Sequence, residues 1–549
     1  MSHPLSVRGA TAGLVATATA LTLALAGPAD AKGAHGHHQP GPPLAPETHF
    51  TMAPDGSSGL APHGAGIPNI DSVKSTIRTY YNATGGIADK TNSPYISEMG
   101  AIEASALASL PTVDPTAHKA IVFDADDTTL WTYDMEDNAM HFNFNPTLQN
   151  TWVQDAMFPA TPGMVGFEHA VQAKGYAVFG ITGRNSGQET ATLTNLSNVG
   201  YTGFDTANFF TKWTSSEPVP AYVDCAADGN ASSCSTVEYK AFTRKHIEQD
   251  LGYDIVLNVG DQFSDLQGGY ADAALKLPNP TYYLPSPDIA GAPASDASLT
   301  PRTEFTMKPD GSSGLTQGGE GIPNIDSVKS TIRTYYNAPS SGPYTGIADK
   351  VSSPYISELR HLERANTQRL VNQCRREVRK GGQPAVVFDA DDTTLWTYDM
   401  EDGDMRFNFT LAAQEPWVFG EKFPATPGMV HLVNAVGQAG CTVVGLTGRR
   451  ADQRDATLGN LWKVGYRAFK PENYYTKWNG TAADPAIYPA GTPCHDGVCT
   501  TIEYKSATRA YVESQGYDII ANFGDQFSDL IGGYADRTVK LPNPTYYLP

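Results

Sequence analysis

The chain has 549 residues, of which 40% are hydrophobic and 17% charged, and this composition excludes a largely disordered protein. Its formal net charge of −20 disfavours binding to nucleic-acid polymers and to anionic membrane surfaces. A small anionic substrate stays possible, because a bound metal ion can reverse the electric field in one pocket.

The N-terminus predicts an export signal. Arg8 precedes an apolar run over residues 10–26, and Ala29-Asp30-Ala31 supplies the small residues of a cleavage site. We therefore expect residues 1–31 to be a signal peptide and the product to be secreted, with no membrane attachment after cleavage. A membrane anchor is the alternative, but the run is short for a span and rich in Ala and Thr.

Long segments of the chain occur twice. PNIDSVKSTIRTYYNA starts at Pro68 and again at Pro323, and FDADDTTLWTYDMED starts at Phe123 and again at Phe388. GDQFSDL and LPNPTYYLP also occur in both halves. The repeat distance, about 265 residues, is far too long for a solenoid unit and indicates duplication of a whole domain.

Composition places the linkers around these two copies. Residues 32–46 are rich in Gly, Pro and His, and residues 286–301 are rich in Ala, Pro, Ser and Asp. Both are typical of flexible or extended spacers. We therefore predict one domain over residues 47–285 and a second over 302–549.

Apolar segments in the first half alternate between helical and strand-like patterns. Ile70, Val73, Ile77 and Tyr80 have helical spacing, and a second helix is predicted over 163–174, before Gly175. Three buried strands are predicted over residues 119–124, 176–182 and 253–260. This alternation indicates a mainly parallel α/β sheet with helices on both faces.

In such a sheet the ligand lies beyond the carboxyl ends of the strands, so Asp124, Thr182 and Asp261 should converge. Asp124 and Asp126 can divide the work of phosphoryl transfer: one carboxylate attacks phosphorus and the other exchanges protons with the leaving oxygen and water. An acidic loop that caps the next helix is the ordinary alternative for this pair.

The residues that follow suit a phosphate and a metal ion. Thr182 and Arg184 can bind phosphate oxygens, Lys240 can neutralise them, and Asp261 with Asp265 supplies hard oxygen ligands for Mg²⁺. Each residue alone has a structural alternative as a cap, a turn or a surface charge. Their order along the chain favours the functional interpretation.

Six cysteines fit an oxidising compartment. Cys225 with Cys234 and Cys494 with Cys499 are predicted to close local loops. A zinc site is the alternative for these short-spaced pairs, but no second Cys/His pair completes it. Cys374 and Cys441 occur only in the second half and suggest a third disulfide, although the sequence does not fix the pairing.

The motifs FDADDTTL, ITGR, GDQFSDL and KLPNPTYYLP resemble the haloacid-dehalogenase superfamily, in particular its acid phosphatases of classes B and C and the plant vegetative storage proteins. The resemblance implies two tandem Rossmann-like domains, and the span from Asp124 to Thr182 leaves room only for a small cap or none. It also implies a Mg²⁺-dependent phosphomonoesterase acting on small phosphomonoesters through an aspartyl-phosphate.

The same resemblance implies a role for each site residue. Asp124 would be the nucleophile and Asp126 the acid/base, with both contributing to the Mg²⁺ site beside Asp261 and Asp265. Thr182, Arg184 and Lys240 would contact phosphate. The corresponding residues of the second copy are Asp389, Asp391, Thr447, Arg449, Lys505, Asp525 and Asp529.

Three alternatives stay open at this point. The chain could be a non-catalytic storage or surface-binding protein that retains the fold, a nucleotide-specific phosphatase, or a phosphotransferase. Trp131 and Tyr133 follow the acidic loop and could stack on an aromatic leaving group or pack in the core. The sequence does not decide whether both copies are active, nor the oligomeric state.

Overall fold

The structure is a computed structural model, and it describes residues 66–289, 315, 321–477 and 499–548. The proposed signal peptide, the linker at 32–46 and most of the linker at 286–301 lie outside the described residues. All of these described residues belong to one compact unit. The domain boundaries at 47, 285 and 302 therefore stay predictions.

The first repeat contains a five-stranded parallel sheet. Its strands are β1 (Lys119–Phe123), β2 (Ala177–Asn185), β3 (Phe209–Lys212), β4 (Asp254–Gly260) and β5 (Ala274–Lys276). The spatial order is β3-β2-β1-β4-β5, with every neighbouring pair parallel. The central strands are almost wholly buried, as their continuous apolar sequences require.

Seven helices accompany this sheet in the described residues. They are α1 (Ile70–Tyr80), α2 (Pro94–Ser109), α3 (Pro146–Gln154), α4 (Met164–Ala173), α5 (Glu189–Asn198), α6 (Thr236–Gln249) and α7 (Phe263–Leu266). Gly163 precedes α4 with φ of 81°, and a Cβ there would lie 1.9 Å from Oε2 of Glu103. Glycine is therefore needed where α4 begins.

The second repeat has the same architecture. Its sheet, in the order β10-β9-β6-β7-β8, consists of β6 (Pro384–Phe388), β7 (Thr442–Arg450), β8 (Tyr474–Lys477), β9 (Asp518–Gly524) and β10 (Thr538–Lys540). Its helices are α8 (Ile325–Tyr336), α9 (Pro354–Arg379), α10 (Leu411–Phe419), α11 (Met429–Gln438), α12 (Arg454–Lys463), α13 (Thr501–Ser514) and α14 (Phe527–Leu530).

The predicted α/β fold is confirmed in both repeats. The three predicted strands correspond to β1, β2 and β4, and the two predicted helices correspond to α1 and α4. The strand after Gly175 continues to Asn185, three residues past its predicted end at Thr182. Between β1 and β2 lie only a short π-helical turn, α3 and α4, so this insertion forms no separate cap domain.

Strand order positions the site. Because β1 lies between β2 and β4, the residues at the carboxyl ends of these three parallel strands meet at one edge of the sheet. Asp124 directly follows β1, Thr182 lies within β2 near its end, and Asp261 directly follows β4.

Two disulfides connect described residues. Cys225 pairs with Cys234. Cys374, in the C-terminal half of α9, pairs with Cys441 just before β7, which confirms the third disulfide suggested by the sequence. Cys499 is also disulfide-bonded, but its predicted partner Cys494 lies outside the described residues. Within the described parts of the chain, every helix is too short or too polar to span a bilayer.

Candidate active site

The carboxylate of Asp124 lies beside the ammonium group of Lys240. Lys240 is on α6, and its Nζ donates to Oδ1 of Asp124 at 2.5 Å and to Oδ1 of Asp265 at 2.6 Å. All three side chains are buried. The predicted Lys240 is therefore an internal cation that joins the loop after β1 to the loop after β4.

The second repeat reproduces this contact. Nζ of Lys505 donates to Oδ1 of Asp389 at 2.6 Å and also to Oδ1 of Asp529. Burial alone would lower the pKa of each lysine, but the two neighbouring carboxylates outweigh it and raise the pKa above its usual value. Both lysines are consequently charged at neutral pH.

Three carboxylates meet at the end of β4. Oxygens of Asp124, Asp261 and Asp265 lie within 4.8 Å of one another, as do those of Asp389, Asp525 and Asp529. Burial raises the pKa of Asp124 well above its usual range and that of Asp261 to about 7, with the neighbouring carboxylates adding to the effect of burial. Three hard oxygen donors around one point can hold a metal ion.

Glycine lets this cluster form. A Cβ at position 260 would lie 2.5 Å from Cβ of Asp265, and one at position 524 would lie 2.3 Å from Cβ of Asp529. Any larger residue would push the loop after the strand away from the cluster. The side chain of Asp265 also accepts from the backbone N–H of Gln262 at 2.8 Å, which fixes its orientation.

The side chain of Asp126 pairs with Arg184. Nη2 of Arg184 donates to Oδ1 of Asp126 at 2.6 Å, and Nε donates to Oδ2 at 3.2 Å. Arg449 and Asp391 form the same pair at 2.6 and 3.1 Å. In this structure each arginine therefore binds the second acid of the motif. Its predicted contact with phosphate stays a prediction, as does the contribution of Asp126 and Asp391 to a metal site.

Thr182 lies in β2 and Thr447 in β7, and both are fully buried. Oγ1 of Thr182 accepts from the backbone N–H of Arg184 at 3.2 Å, and Thr447 accepts from Arg449 at the same distance. In the first repeat the structure thus joins Asp124, Lys240, Asp261 and Asp265 in one cluster, and Asp126, Arg184 and Thr182 in a second set of contacts. The second repeat has the same two sets, and the roles of these residues stay predictions. Trp131 and Tyr133 are different: both are buried and pack on Tyr81, so they belong to the core.

An asparagine that the sequence analysis missed supports the cluster. Nδ2 of Asn279 donates to Oδ2 of Asp261 at 2.7 Å, and Asn543 donates to Asp525 at 2.8 Å. In the second repeat Tyr546 also donates to Oδ2 of Asp525, at 3.0 Å. The signal was the repeated LPNPTYYLP segment, whose recurrence was evident but whose polar residues received no role.

Comparison with known proteins gives a family match over most of the chain. The model of the HAD superfamily, subfamily IIIB (acid phosphatase), matches residues 88–285 and 347–549. Each match lies within one repeat and includes its candidate site.

Curated relatives include both enzymes and storage proteins by name. The chain is 36% identical to the stem 28 kDa glycoprotein of Glycine max over 148 residues, which cover 27% of this chain and 51% of the relative. It is 31% identical to vegetative storage protein 1 of Arabidopsis thaliana, over 30% of this chain and 55% of the relative. It is 31% identical to acid phosphatase 1 of Solanum lycopersicum, over 30% of this chain and 60% of the relative. The chain thus spans about half the length of the curated relatives it matches.

Among solved structures, the class C acid phosphatase from Bacillus anthracis with tungstate bound aligns with 19% identity and a TM-score of 0.25. The alignment covers 36% of this chain and 71% of the other.

Proposed function

We propose, since the chain belongs to the acid phosphatase family of the HAD superfamily, subfamily IIIB, that each of its repeats hydrolyses phosphomonoesters through an aspartyl-phosphate. One observation carries the proposal: a buried lysine contacts the first acid of the motif in both repeats, beside two further carboxylates. A storage or binding function requires no such duplicated cluster of buried charges, which is costly to the fold.

Asp124 is the proposed nucleophile of the first repeat. One of its carboxylate oxygens attacks phosphorus, the bond to the ester oxygen breaks, and that oxygen takes a proton from Asp126 as the alcohol leaves. Asp126 then removes a proton from a water molecule, whose oxygen attacks the phosphorus of the aspartyl-phosphate. Phosphate departs and the carboxylate of Asp124 is restored. Asp389 and Asp391 act in the same way in the second repeat.

The surrounding residues orient the reacting groups. Lys240 and Lys505 hold the nucleophilic carboxylates in place and offset the negative charge of the phosphoryl group. Thr182 and Thr447 are proposed to donate to phosphate oxygens. Arg184 and Arg449 hold the acid/base carboxylates. Nη1 of Arg184 also donates to Oγ1 of Thr192 at 3.0 Å, which leaves fewer of its N–H groups for the leaving-group oxygen.

We propose Mg²⁺ as the metal. The donors of the cluster are carboxylates, the ligand type that hard divalent cations prefer, and one lysine leaves part of their negative charge uncompensated. Asp124, Asp261 and Asp265 would hold the ion in the first repeat, with Asp126 contributing its backbone carbonyl, and Asp389, Asp525, Asp529 and Asp391 in the second. When bound, Mg²⁺ supplies charge stabilisation for the phosphoryl oxygens.

The protein is proposed to act outside the cytoplasm. The sequence of residues 1–31 predicts an export signal, and disulfides persist mainly in oxidising compartments. Small phosphomonoesters are the proposed substrates.

A storage function is the second candidate, because two of the relatives are named as vegetative storage proteins. Activity measurements separate the two candidates directly. Hydrolysis of p-nitrophenyl phosphate is measured with Mg²⁺ and with EDTA for the wild type, Asp124→Asn, Asp389→Asn and the double variant. Asp155→Asn, at an exposed residue, controls for the loss of one charge.

We expect each single variant to lose the activity of one repeat and the double variant to lose about 10³-fold or more. EDTA should abolish wild-type activity and Mg²⁺ should restore it. Full activity in the double variant would contradict the proposed nucleophiles. If the wild type hydrolyses no phosphomonoester, the storage function is favoured.

A further inference from the structure

Helix α1 of the first repeat connects the two repeats. At its C-terminal end, Arg78 donates to both carboxylate oxygens of Asp137 at 2.8 and 2.7 Å, within the first repeat. At its N-terminal end, Nδ2 of Asn69 donates to the carbonyls of Asn543 and Tyr546, at 3.1 and 2.7 Å, in the second repeat. The start of α1 is therefore held by the segment that follows β10.

Helix α8 of the second repeat makes the reciprocal contacts. Arg333 donates to Asp402 in its own repeat, at 2.9 and 2.8 Å. Asn324 donates to the carbonyls of Asn279 and Tyr282 of the first repeat, at 3.0 and 2.7 Å. Because both helices reach across in the same manner, the exchange is a symmetric property of the duplicated chain.

This exchange brings Asp71 to the active site of the other repeat. Oδ2 of Asp71 accepts from the backbone N–H of Tyr547 at 3.2 Å. Asp71 then lines the same cavity of about 260 Å³ as Asp389 and Lys505, the proposed nucleophile and its lysine. In the first repeat, Asp326 accepts from the backbone N–H of Tyr283 at 3.2 Å, which is the corresponding contact.

The buried carboxyl group of Glu401 also lines that cavity. Glu401 is only 3% exposed. Burial, then Asp392 and Asp71, raise its pKa well above the usual range. Glu136, 4% exposed, is its counterpart in the first repeat.

Side chains of both charge signs line the cavity. Lys505 and Lys477 are among them, and burial, followed by the charge of Lys505, lowers the pKa of Lys477. Asp71 and the exposed ring of Phe409 also line the cavity. Asp71 pairs with Lys74 at 3.2 Å, but its side chain is 37% exposed against 6% for that lysine, so the carboxylate is the accessible partner of the pair. A carboxylate beside an exposed aromatic ring favours a cationic group and repels an anionic one.

We propose that Asp71 and Asp326 are specificity-determining residues that each repeat supplies to the other repeat's site, where they favour leaving groups that carry an ammonium group over leaving groups that carry a second anion. The inference rests on the proposed phosphatase function. It also makes the two repeats interdependent: neither site has its full lining without the first helix of the other repeat.

The experiment uses the full chain with one active repeat at a time. Asp71→Asn and Asp326→Asn are each introduced into the Asp124→Asn chain, where only the second repeat can act, and into the Asp389→Asn chain, where only the first can. The kcat/KM values are measured for phosphocholine and for 3-phosphoglycerate, with glycerol 3-phosphate as the substrate with a neutral leaving group. Thermal unfolding checks that each variant folds.

We expect Asp71→Asn to lower the phosphocholine to 3-phosphoglycerate ratio about tenfold, equivalent to roughly 1.4 kcal/mol, in the Asp124→Asn chain. Asp326→Asn should lower it to a similar extent in the Asp389→Asn chain, and Asp71→Glu should preserve it. A ratio that stays constant, or that changes when the aspartate and the active site are in the same repeat, overturns the inference while hydrolysis itself continues. Failure of the proposed function is distinct, because the wild type would then hydrolyse none of the three substrates.

Discussion

The Nζ atom of Lys240 lies 2.5 Å from Oδ1 of Asp124, and both groups are buried. Replacing Lys240 with Met would leave Asp124 and Asp265 without their shared cation. We expect the free energy of unfolding in EDTA at pH 7.5 to fall by about 3 to 5 kcal/mol, the usual cost of removing one partner of a buried ion pair. Urea unfolding followed by circular dichroism measures it.

Lys245→Met is the matched control on the same helix. Among the described residues, the Nζ atom of Lys245 contacts the faces of Phe242 and Tyr270 alone, at 5.4 and 5.8 Å from the ring centres. This control should lose about 1 kcal/mol or less. Equal losses in the two variants would show that the contact between Lys240 and Asp124 contributes little to the fold.

The role of Asp126 as a proton donor predicts a dependence on the leaving group. In the Asp389→Asn chain, we expect Asp126→Asn to lower kcat/KM for glycerol 3-phosphate by about 10² to 10⁴-fold. The loss of kcat/KM for p-nitrophenyl phosphate should be much smaller, because nitrophenolate leaves without a proton and kcat/KM reports only the steps up to its departure. Equal losses for both substrates would argue that Asp126 does not protonate the leaving oxygen.

Arg184→Lys tests the positioning of that acid. A lysine keeps the charge but cannot reproduce the two contacts to Asp126 at 2.6 and 3.2 Å. Arg184→Lys should therefore lose more activity toward glycerol 3-phosphate than toward p-nitrophenyl phosphate, as Asp126→Asn does, but by smaller factors. Its kcat should fall more than its KM rises.

The carboxylate cluster predicts stabilisation by Mg²⁺. At a concentration 100 times the dissociation constant, a ligand that binds only the folded state stabilises it by about 2.7 kcal/mol per site. We expect Mg²⁺ to raise the melting temperature of the wild type, and the double variant Asp261→Asn, Asp525→Asn to lose this shift. Asp250→Asn, at an exposed helix end, is the control. An equal shift in the double variant would place the ion elsewhere.

The core of the fold and most of the site could be predicted from the sequence. Residues 119–124 form a largely apolar run that ends in Asp124. Such a run predicts a buried parallel strand with a candidate site residue at its carboxyl end. The repetition of the same motifs in both halves established the duplication. Short edge strands such as β3 and β5 have only four and three residues, too few for a periodic signal.

Contacts between the repeats could not be predicted in this way. Asn69 and Asp71 have the sequence of an ordinary helix cap and first turn, and Asn69 does cap α1 with Asp71 in the first turn. What they contact across the repeats depends on how two domains pack, which no local pattern encodes. The same applies to the pairing of Arg184 with Asp126, because an arginine near a strand end suits a phosphate and a carboxylate equally well.

The disulfide between Cys374 and Cys441 should stabilise the second repeat more than the local bridge stabilises the first. Its partners are 67 residues apart, against nine for Cys225 and Cys234. Loop closure entropy then predicts about 2 kcal/mol more for the longer loop. Urea unfolding of the two double Cys→Ala variants measures the difference, and an equal or smaller loss for Cys374 and Cys441 would contradict it.

Glu103 predicts a pH-dependent stability. Burial raises its pKa to about 7, and its Oε1 atom has no hydrogen-bond partner. Below about pH 4.5 the carboxyl is protonated in both the folded and unfolded states. Between that value and pH 7 the unfolded chain releases its proton while the folded chain keeps it, so stability falls as the pH rises and then levels off.

Glu103→Gln removes this contribution. Urea unfolding in EDTA measures how much stability each protein loses between pH 5 and pH 8. We expect the loss in the Glu103→Gln variant to be about 1 kcal/mol smaller than in the wild type, a figure reduced for the partial exposure of the Glu103 side chain. The carboxylate clusters titrate equally in both proteins, so the difference isolates Glu103, and identical pH profiles would show that water reaches its carboxyl group.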